Sequence, residues 1–161
     1  MIENNFVQTP KIITEMLLQN EKFEGVILEP CCGKGAISKV LLENNCKVVS
    51  QDKIDYGFGE IKDLWDINEK YDNIITNPPF SSKVKMVKHL LQFTNNKLVL
   101  LWYVKNIGNV LESKNSKHLK TIYIINQRID WKETKLGWLF AWYIWDINYI
   151  GDTTIKRLNI L

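Results

Sequence analysis

Val26-Ile27-Leu28-Glu29-Pro30-Cys31-Cys32-Gly33-Lys34-Gly35-Ala36 passes from a short apolar run, through a loop with two glycines at i and i+2, into a helical pattern. The helix is predicted over residues 36–44, where Ile37, Val40, Leu41 and Leu42 share a stripe. A strand that turns into a helix through glycines lets the backbone approach a ligand closely. It also aims the unpaired N–H groups of the helix at that ligand. Outward from this stretch the pattern repeats. Residues 47–51 read as a strand, 60–70 are mixed, and 71–76 form a strand with a continuous apolar centre. Residues 84–93 read as a helix, 98–104 as a second fully apolar strand, and 106–116 as a polar helical stretch. Strands follow over 122–125 and 139–145, and the tail 153–161 adds an edge strand.

Strands alternating with helices imply a mostly parallel sheet with helices on both faces, here of seven strands. The strands near residues 27, 74 and 100 are apolar throughout, as strands covered on both faces are. In such sheets ligands bind beyond the carboxyl ends of the strands. The loops after the strands are therefore where the chemistry is sought.

Two of those loops carry it. Asp52 ends the second strand, 17 residues after Gly35. An acid there is placed to accept hydrogen bonds from both ribose hydroxyls of a nucleoside. The spacing is not the dinucleotide fingerprint, because the third glycine position is not filled. Asn77-Pro78-Pro79-Phe80 follows the strand 71–76. Consecutive prolines end the ladder and stiffen the loop at the ligand-binding edge.

The Glu29-Pro30-x-x-Gly33-x-Gly35 loop resembles the first motif of Rossmann-like S-adenosylmethionine-dependent methyltransferases. Asn77-Pro78-Pro79-Phe80 resembles the catalytic motif of amino-group methyltransferases, most closely those acting on adenine N6 in DNA. The resemblance implies S-adenosylmethionine as cofactor and a Rossmann-like methyltransferase fold. It assigns the cofactor to Thr9, Pro10, Glu29, Pro30, Cys31, Gly33, Gly35, Asp52, Lys53, Asp63, Leu64 and Asn77. Glu29 would face the ammonium group of the methionine moiety, and Asp63 the cofactor's adenine, with Asp66 as a rival. Phe6, Val7 and Thr9 are further cofactor contacts; Thr9 also reads as a helix N-cap with Pro10 at the first helical position. Cys31 and Cys32 replace the small Ser, Ala or Thr common in such loops and read as packing residues. A nucleophilic thiol is the alternative, since helix N-termini lower thiol pKa.

The same resemblance gives the catalytic roles. The Asn77 side-chain oxygen and the Pro78 carbonyl would accept the two N–H bonds of the target amine. Pro79 would stiffen the loop, and Phe80 would stack on the base. The residue types suit the problem. An exocyclic amine delocalises its lone pair into the ring, and two fixed acceptors draw the nitrogen toward a pyramidal geometry. No strong base is needed when the methyl group arrives activated, and alignment is most of the task. A base in a duplex must flip out to reach such a site. Arg128 and Trp131 are candidates to contact it. Trp131 lies in the polar stretch Asp130-Trp131-Lys132-Glu133, whereas the aromatics of residues 138–145 read as core.

Composition narrows the rest. The chain has 161 residues, 45% of them hydrophobic, and is expected to form one catalytic domain over 1–161. Its formal net charge of +3 permits nucleic-acid binding without requiring it. Lys34, Lys39, Lys83, Lys85 and Lys88 are candidate phosphate contacts, with a solvated face as the alternative. Cys31, Cys32 and Cys46 make neither a disulfide framework nor a zinc spacing, which fits a reduced, cytoplasmic setting without metal. No apolar run approaches a membrane span. Nucleic acid is the expected partner, DNA ahead of RNA. No separate recognition domain is expected, so the alternatives are a very short site, loose methylation, or recognition borrowed from a second copy or another subunit. The rival functions are RNA base amino-methylation, protein glutamine methylation, and a catalytically silent binding subunit.

Overall fold

In the computed structural model, residues 8–79, 83–125 and 139–159 are described. Helix α1 (Lys11–Asn20) precedes strand β1 (Val26–Glu29), helix α2 (Ala36–Glu43) and strand β2 (Lys47–Asp52). A two-residue strand β3 (Glu60–Ile61) and a 3-10 turn (Leu64–Asp66) lead to β4 (Tyr71–Thr76). Then come α3 (Lys83–Gln92), β5 (Thr94–Tyr103), the short helix α4 (Ile107–Leu111) and a 3-10 turn (Lys114–His118). Strands β6 (Leu119–Ile125), β7 (Phe140–Asp146) and β8 (Thr154–Leu158) complete the sheet.

The strand order is β3-β2-β1-β4-β5-β7-β6-β8. Among the described residues the sheet thus has eight strands rather than the expected seven. The extra one is β3, whose Glu60 and Ile61 are both exposed and carry no apolar alternation to announce them. Among the described strands only β7 runs against its neighbours, pairing antiparallel with β5 and β6. Its residues Phe140 to Trp145 are all buried because β7 is an interior strand with both faces covered.

Both faces of the sheet are packed. One core joins Ile13 and Leu17 of α1 and Ile37 and Leu41 of α2 to Ile27, Ile75, Val99 and Trp142 of the strands. The other joins Met86, Val87 and Leu90 of α3 and Val110 of α4 to Leu28, Ile74, Leu100 and Trp102. A buried Leu or Ile of this kind contributes roughly 1.5–3 kcal/mol through area removed from water. The indole N–H of Trp142 donates to the Ile13 carbonyl at 3.0 Å, which pins α1 across the sheet.

The polar stretch expected to be one helix over 106–116 is divided into α4 and the 3-10 turn that follows it. Ser113 marks the break, its hydroxyl donating back to the Val110 carbonyl at 2.8 Å. Thr9 is not the N-cap of α1. Pro10 holds that position with φ −59° and ψ 138°, and the Thr9 side chain is engaged elsewhere.

Candidate active site

The sheet reverses direction at β1. From β1 the chain moves outward to β2 and β3, then returns to β4 on the other side of β1 and proceeds to β5. The crevice beyond the carboxyl ends of β1 and β4 is therefore the topological switch point, where ligands bind in open α/β sheets. The loop Glu29–Gly35 and the loop Asn77–Pro79 both start there.

The first loop is built by its glycines. Gly33 has φ +52° and Gly35 φ +78°, the left-handed region that a side chain disfavours. The Gly35 N–H donates to the Cys32 carbonyl at 2.7 Å, closing a tight turn. A Cβ on Gly35 would stand 2.5 Å from the Phe58 ring. Phe58 thus packs directly on the loop, and the Lys39 ammonium lies 5.1 Å from its ring centroid. This contact was missed in the sequence, although two glycines, Gly57 and Gly59, flank Phe58 and mark an unusual turn.

Asp52 holds the same loop from β2. Its Oδ2 accepts from the Gly33 N–H at 2.8 Å, and its Oδ1 from the Ile54 N–H at 3.0 Å. A carboxylate has about four lone-pair positions, so these two bonds leave room for hydroxyl donors. Lys53, itself largely in solvent, forms a 3.0 Å ion pair with the mostly covered Asp63. Asp63 caps the 3-10 turn by accepting from the Trp65 N–H at 3.1 Å. Burial works against ionisation of Asp63, but the Trp65 N–H and Lys53 outweigh it and lower its pKa. Leu64 beside it is buried, whereas the rival Asp66 is exposed.

Glu29 faces inward, with 2% of its surface exposed. Its Oε2 accepts from the Ser38 N–H at 2.8 Å and from the Ser38 hydroxyl. The Ser38 hydroxyl also lies 2.6 Å from that of Ser50 on β2. Burial pushes the Glu29 pKa up to about 8, and Asp52 adds to the rise, while the two Ser38 bonds oppose it. Glu29 therefore anchors the first turn of α2 under the loop. Ser38 and Ser50 carried no sequence signal, because their role depends on a contact between two strands and a helix.

Pro30 is buried beneath the loop. The surroundings of both loop cysteines disfavour the thiolate. Desolvation pushes the Cys31 thiol up, and Asp52 adds to it. Desolvation, then Glu29 and Asp52, push the Cys32 thiol up to about 12. The Cys32 thiol donates to the Phe58 carbonyl at 3.4 Å, so it packs rather than reacts.

At the second loop Asn77 is half-buried, Pro78 buried and Pro79 exposed. The Asn77 Nδ2 donates to the Thr9 hydroxyl at 3.1 Å. Thr9 itself is buried and immediately precedes Pro10, which enters α1. In this arrangement the amide nitrogen faces Thr9 and the amide oxygen, the acceptor end, is turned away from it. Phe6, Val7, Phe80, Arg128, Trp131 and the side chain of Lys83 lie outside the described residues. Among the described residues, no group of three or more His, Cys, Asp or Glu could hold a metal ion. None of their helices is long and apolar enough to cross a membrane.

No protein-family model and no curated protein sequence matches the chain. Solved structures do. A class I S-adenosylmethionine-dependent methyltransferase by designation, from Listeria monocytogenes, superposes with a TM-score of 0.65 at 13% identity. The match covers 98% of this chain and 67% of that one. A protein of Pyrococcus horikoshii designated an RNA methyltransferase gives a TM-score of 0.70 at 17% identity, covering 88% of this chain and 86% of that one. A modification subunit assigned to a type I restriction enzyme of Vibrio vulnificus gives 0.61 at 11% identity, covering 99% of this chain and 48% of that one. The chain has a methyltransferase-like α/β fold, with an eight-stranded, mostly parallel sheet.

Proposed function

We propose that this chain binds S-adenosylmethionine and methylates an exocyclic amino nitrogen, with adenine N6 in DNA as the leading substrate. The observation that carries the reading is the meeting of two loops at the switch point. A glycine loop tied to Asp52 lies there with an Asn-Pro-Pro loop tied to Thr9. The cofactor, when bound, supplies an activated methyl group.

The residues present fit that cofactor. Gly35, packed against Phe58, holds the tight turn of the loop, and Asp52 keeps lone pairs for ribose hydroxyls. Lys53, Asp63 and Leu64 border the position proposed for its adenine. Pro30, Cys31 and Gly33 shape the turn, and Thr9 and Pro10 support the methionine end. Glu29 holds the loop through Ser38 and is the acid proposed nearest the cofactor's ammonium.

Asn77 performs the central task. Its side-chain oxygen and the Pro78 carbonyl accept the two N–H bonds of the target amine and hold the nitrogen lone pair toward the methyl donor. Preorganised acceptors of this kind work because they need no reorganisation during the reaction. Pro78 and Pro79 fix the loop. Phe80, Trp131 and Arg128 are the proposed contacts to the flipped base. Stacking of that type is worth roughly 1–3 kcal/mol per base.

The restriction-modification neighbour favours DNA, and suggests that a recognition subunit or a second copy completes the enzyme. The Pyrococcus neighbour favours the second reading, methylation of a base in RNA. Asn77→Ala tests the mechanism. Methyl transfer is expected to be lost while S-adenosylmethionine binding, measured by calorimetry, survives. Full activity in that variant removes Asn77 from the chemistry.

A further inference from the structure

A cleft of about 760 Å³ opens between the first turns of α3 and the segment that follows β5. Its volume lies within the range of small-molecule sites, on the order of 300–1,000 Å³. The floor is apolar and includes Val87 and Trp102. The walls are polar: Lys85 on α3 faces Asn109, Glu112 and Asn115 on the α4 side. Asn115 bridges the two sides, donating from Nδ2 to the Val84 carbonyl at 3.0 Å.

Three features mark this cleft as a site rather than loose packing. Trp102 is fully buried, yet its indole N–H has no acceptor among the described residues. A buried donor left in that condition is costly, and a ligand oxygen at the cleft would relieve it. Asn109 and Asn115 supply amides, which present a donor and an acceptor side by side as base edges do. Lys85 adds a cation that suits a phosphate, with the acidic Glu112 on the opposite wall to accept from an amino edge.

Its position gives the occupant. The loop Asn77–Pro79 runs within a few residues into α3, and β5 is the parallel neighbour of β4. Both walls of the cleft therefore follow strands that end at the acceptor side of the switch point, away from the loop held by Asp52. We infer that the cleft binds the nucleotide next to the target base in a single-stranded segment of nucleic acid. This rests on the amino-methyltransferase reading above. A flipped or single-stranded target leaves its neighbour unpaired, and the cleft receives the edge of that neighbour through its amide walls. The contact gives this chain a local preference for nucleic acid, over the base being methylated alone.

The test uses the full chain and a fluorescein-labelled single-stranded hexanucleotide containing one adenine. Fluorescence anisotropy gives the Kd for wild type, Asn109→Trp, which fills the mouth, and the gentler Asn109→Ala/Lys85→Glu. Thermal melts and S-adenosylmethionine affinity check that each variant is folded. The expected result is a Kd raised at least 10-fold in both variants, with the melts unchanged. Wild-type Kd in both folded variants, with the oligonucleotide still methylated, overturns the cleft and leaves the methyltransferase reading standing. If wild type instead ignores the oligonucleotide and methylates a peptide amide, the nucleic-acid reading and the cleft inference both fall.

Discussion

The Asn77 side-chain amide donates to the Thr9 hydroxyl at 3.1 Å, joining the segment ahead of α1 to the loop after β4. The two residues are 68 positions apart, and the bond fixes where the amide sits at the head of the loop. Thr9→Val keeps the shape and removes the partner. One lost hydrogen bond is worth about 1 kcal/mol, so kcat is expected to fall roughly 5–10-fold, more than the KM for S-adenosylmethionine changes. Thr9→Ser is expected to restore the rate. Unchanged steady-state kinetics in Thr9→Val would show that the bond does not orient Asn77.

Gly35 is fixed by two independent constraints, a φ of +78° and the Phe58 ring at 2.5 Å from a would-be Cβ. Gly35→Ala is expected to lower Tm and to weaken S-adenosylmethionine binding at least 10-fold. Gly35→Ala/Phe58→Ala removes the clash but keeps the left-handed strain of about 1–2 kcal/mol. Its Tm should therefore recover relative to Gly35→Ala on a Phe58→Ala background compared in a double-mutant cycle. A cycle showing no coupling would mean that Phe58 moves aside freely.

Glu29 makes stability depend on pH in a specific window. Burial, with Asp52, raises its pKa from 4.5 to about 8 against the opposing Ser38 bonds. The folded state then keeps a proton that the unfolded state loses. The contribution is full below pH 4.5, declines as pH rises toward about 8, and is gone above it. The slope reaches at most about 1.4 kcal/mol per pH unit. Urea denaturation across pH 5–8 should show this decline, and Glu29→Gln should flatten it. A cofactor ammonium beside Glu29 would favour the ionised carboxyl, so binding at pH 7 should release up to one proton. Calorimetry in buffers of different ionisation enthalpy reads that release. A value of zero would separate Glu29 from the ammonium.

Much of the fold was legible because burial writes itself into strand composition. The strands at Tyr71–Thr76 and Phe140–Asp146 are covered on both faces, and their apolar runs say so. β3 was not legible, since two exposed residues at a sheet edge bury nothing. β5 begins at Thr94, four residues before its apolar run, and the polar Asn95, Asn96 and Lys97, exposed or half-buried, give no apolar signal there. The positions of both loops were legible from where the strands stop. The bonds that shape them were not: Gly33 to Asp52, Glu29 to Ser38 and Asn77 to Thr9 each join distant segments. Such pairings depend on tertiary register, which local sequence does not encode.

The most direct measurement is transfer of a radiolabelled methyl group from S-adenosylmethionine to DNA, RNA and protein, followed by mass spectrometry of the digested nucleosides. The expected product is N6-methyladenine in DNA from the wild-type chain, supplied with any recognition partner, and none from Asn77→Ala. Label found only in RNA or only in protein would contradict the DNA assignment. No label in any acceptor, from a protein that also fails to bind S-adenosylmethionine, would contradict the enzyme itself.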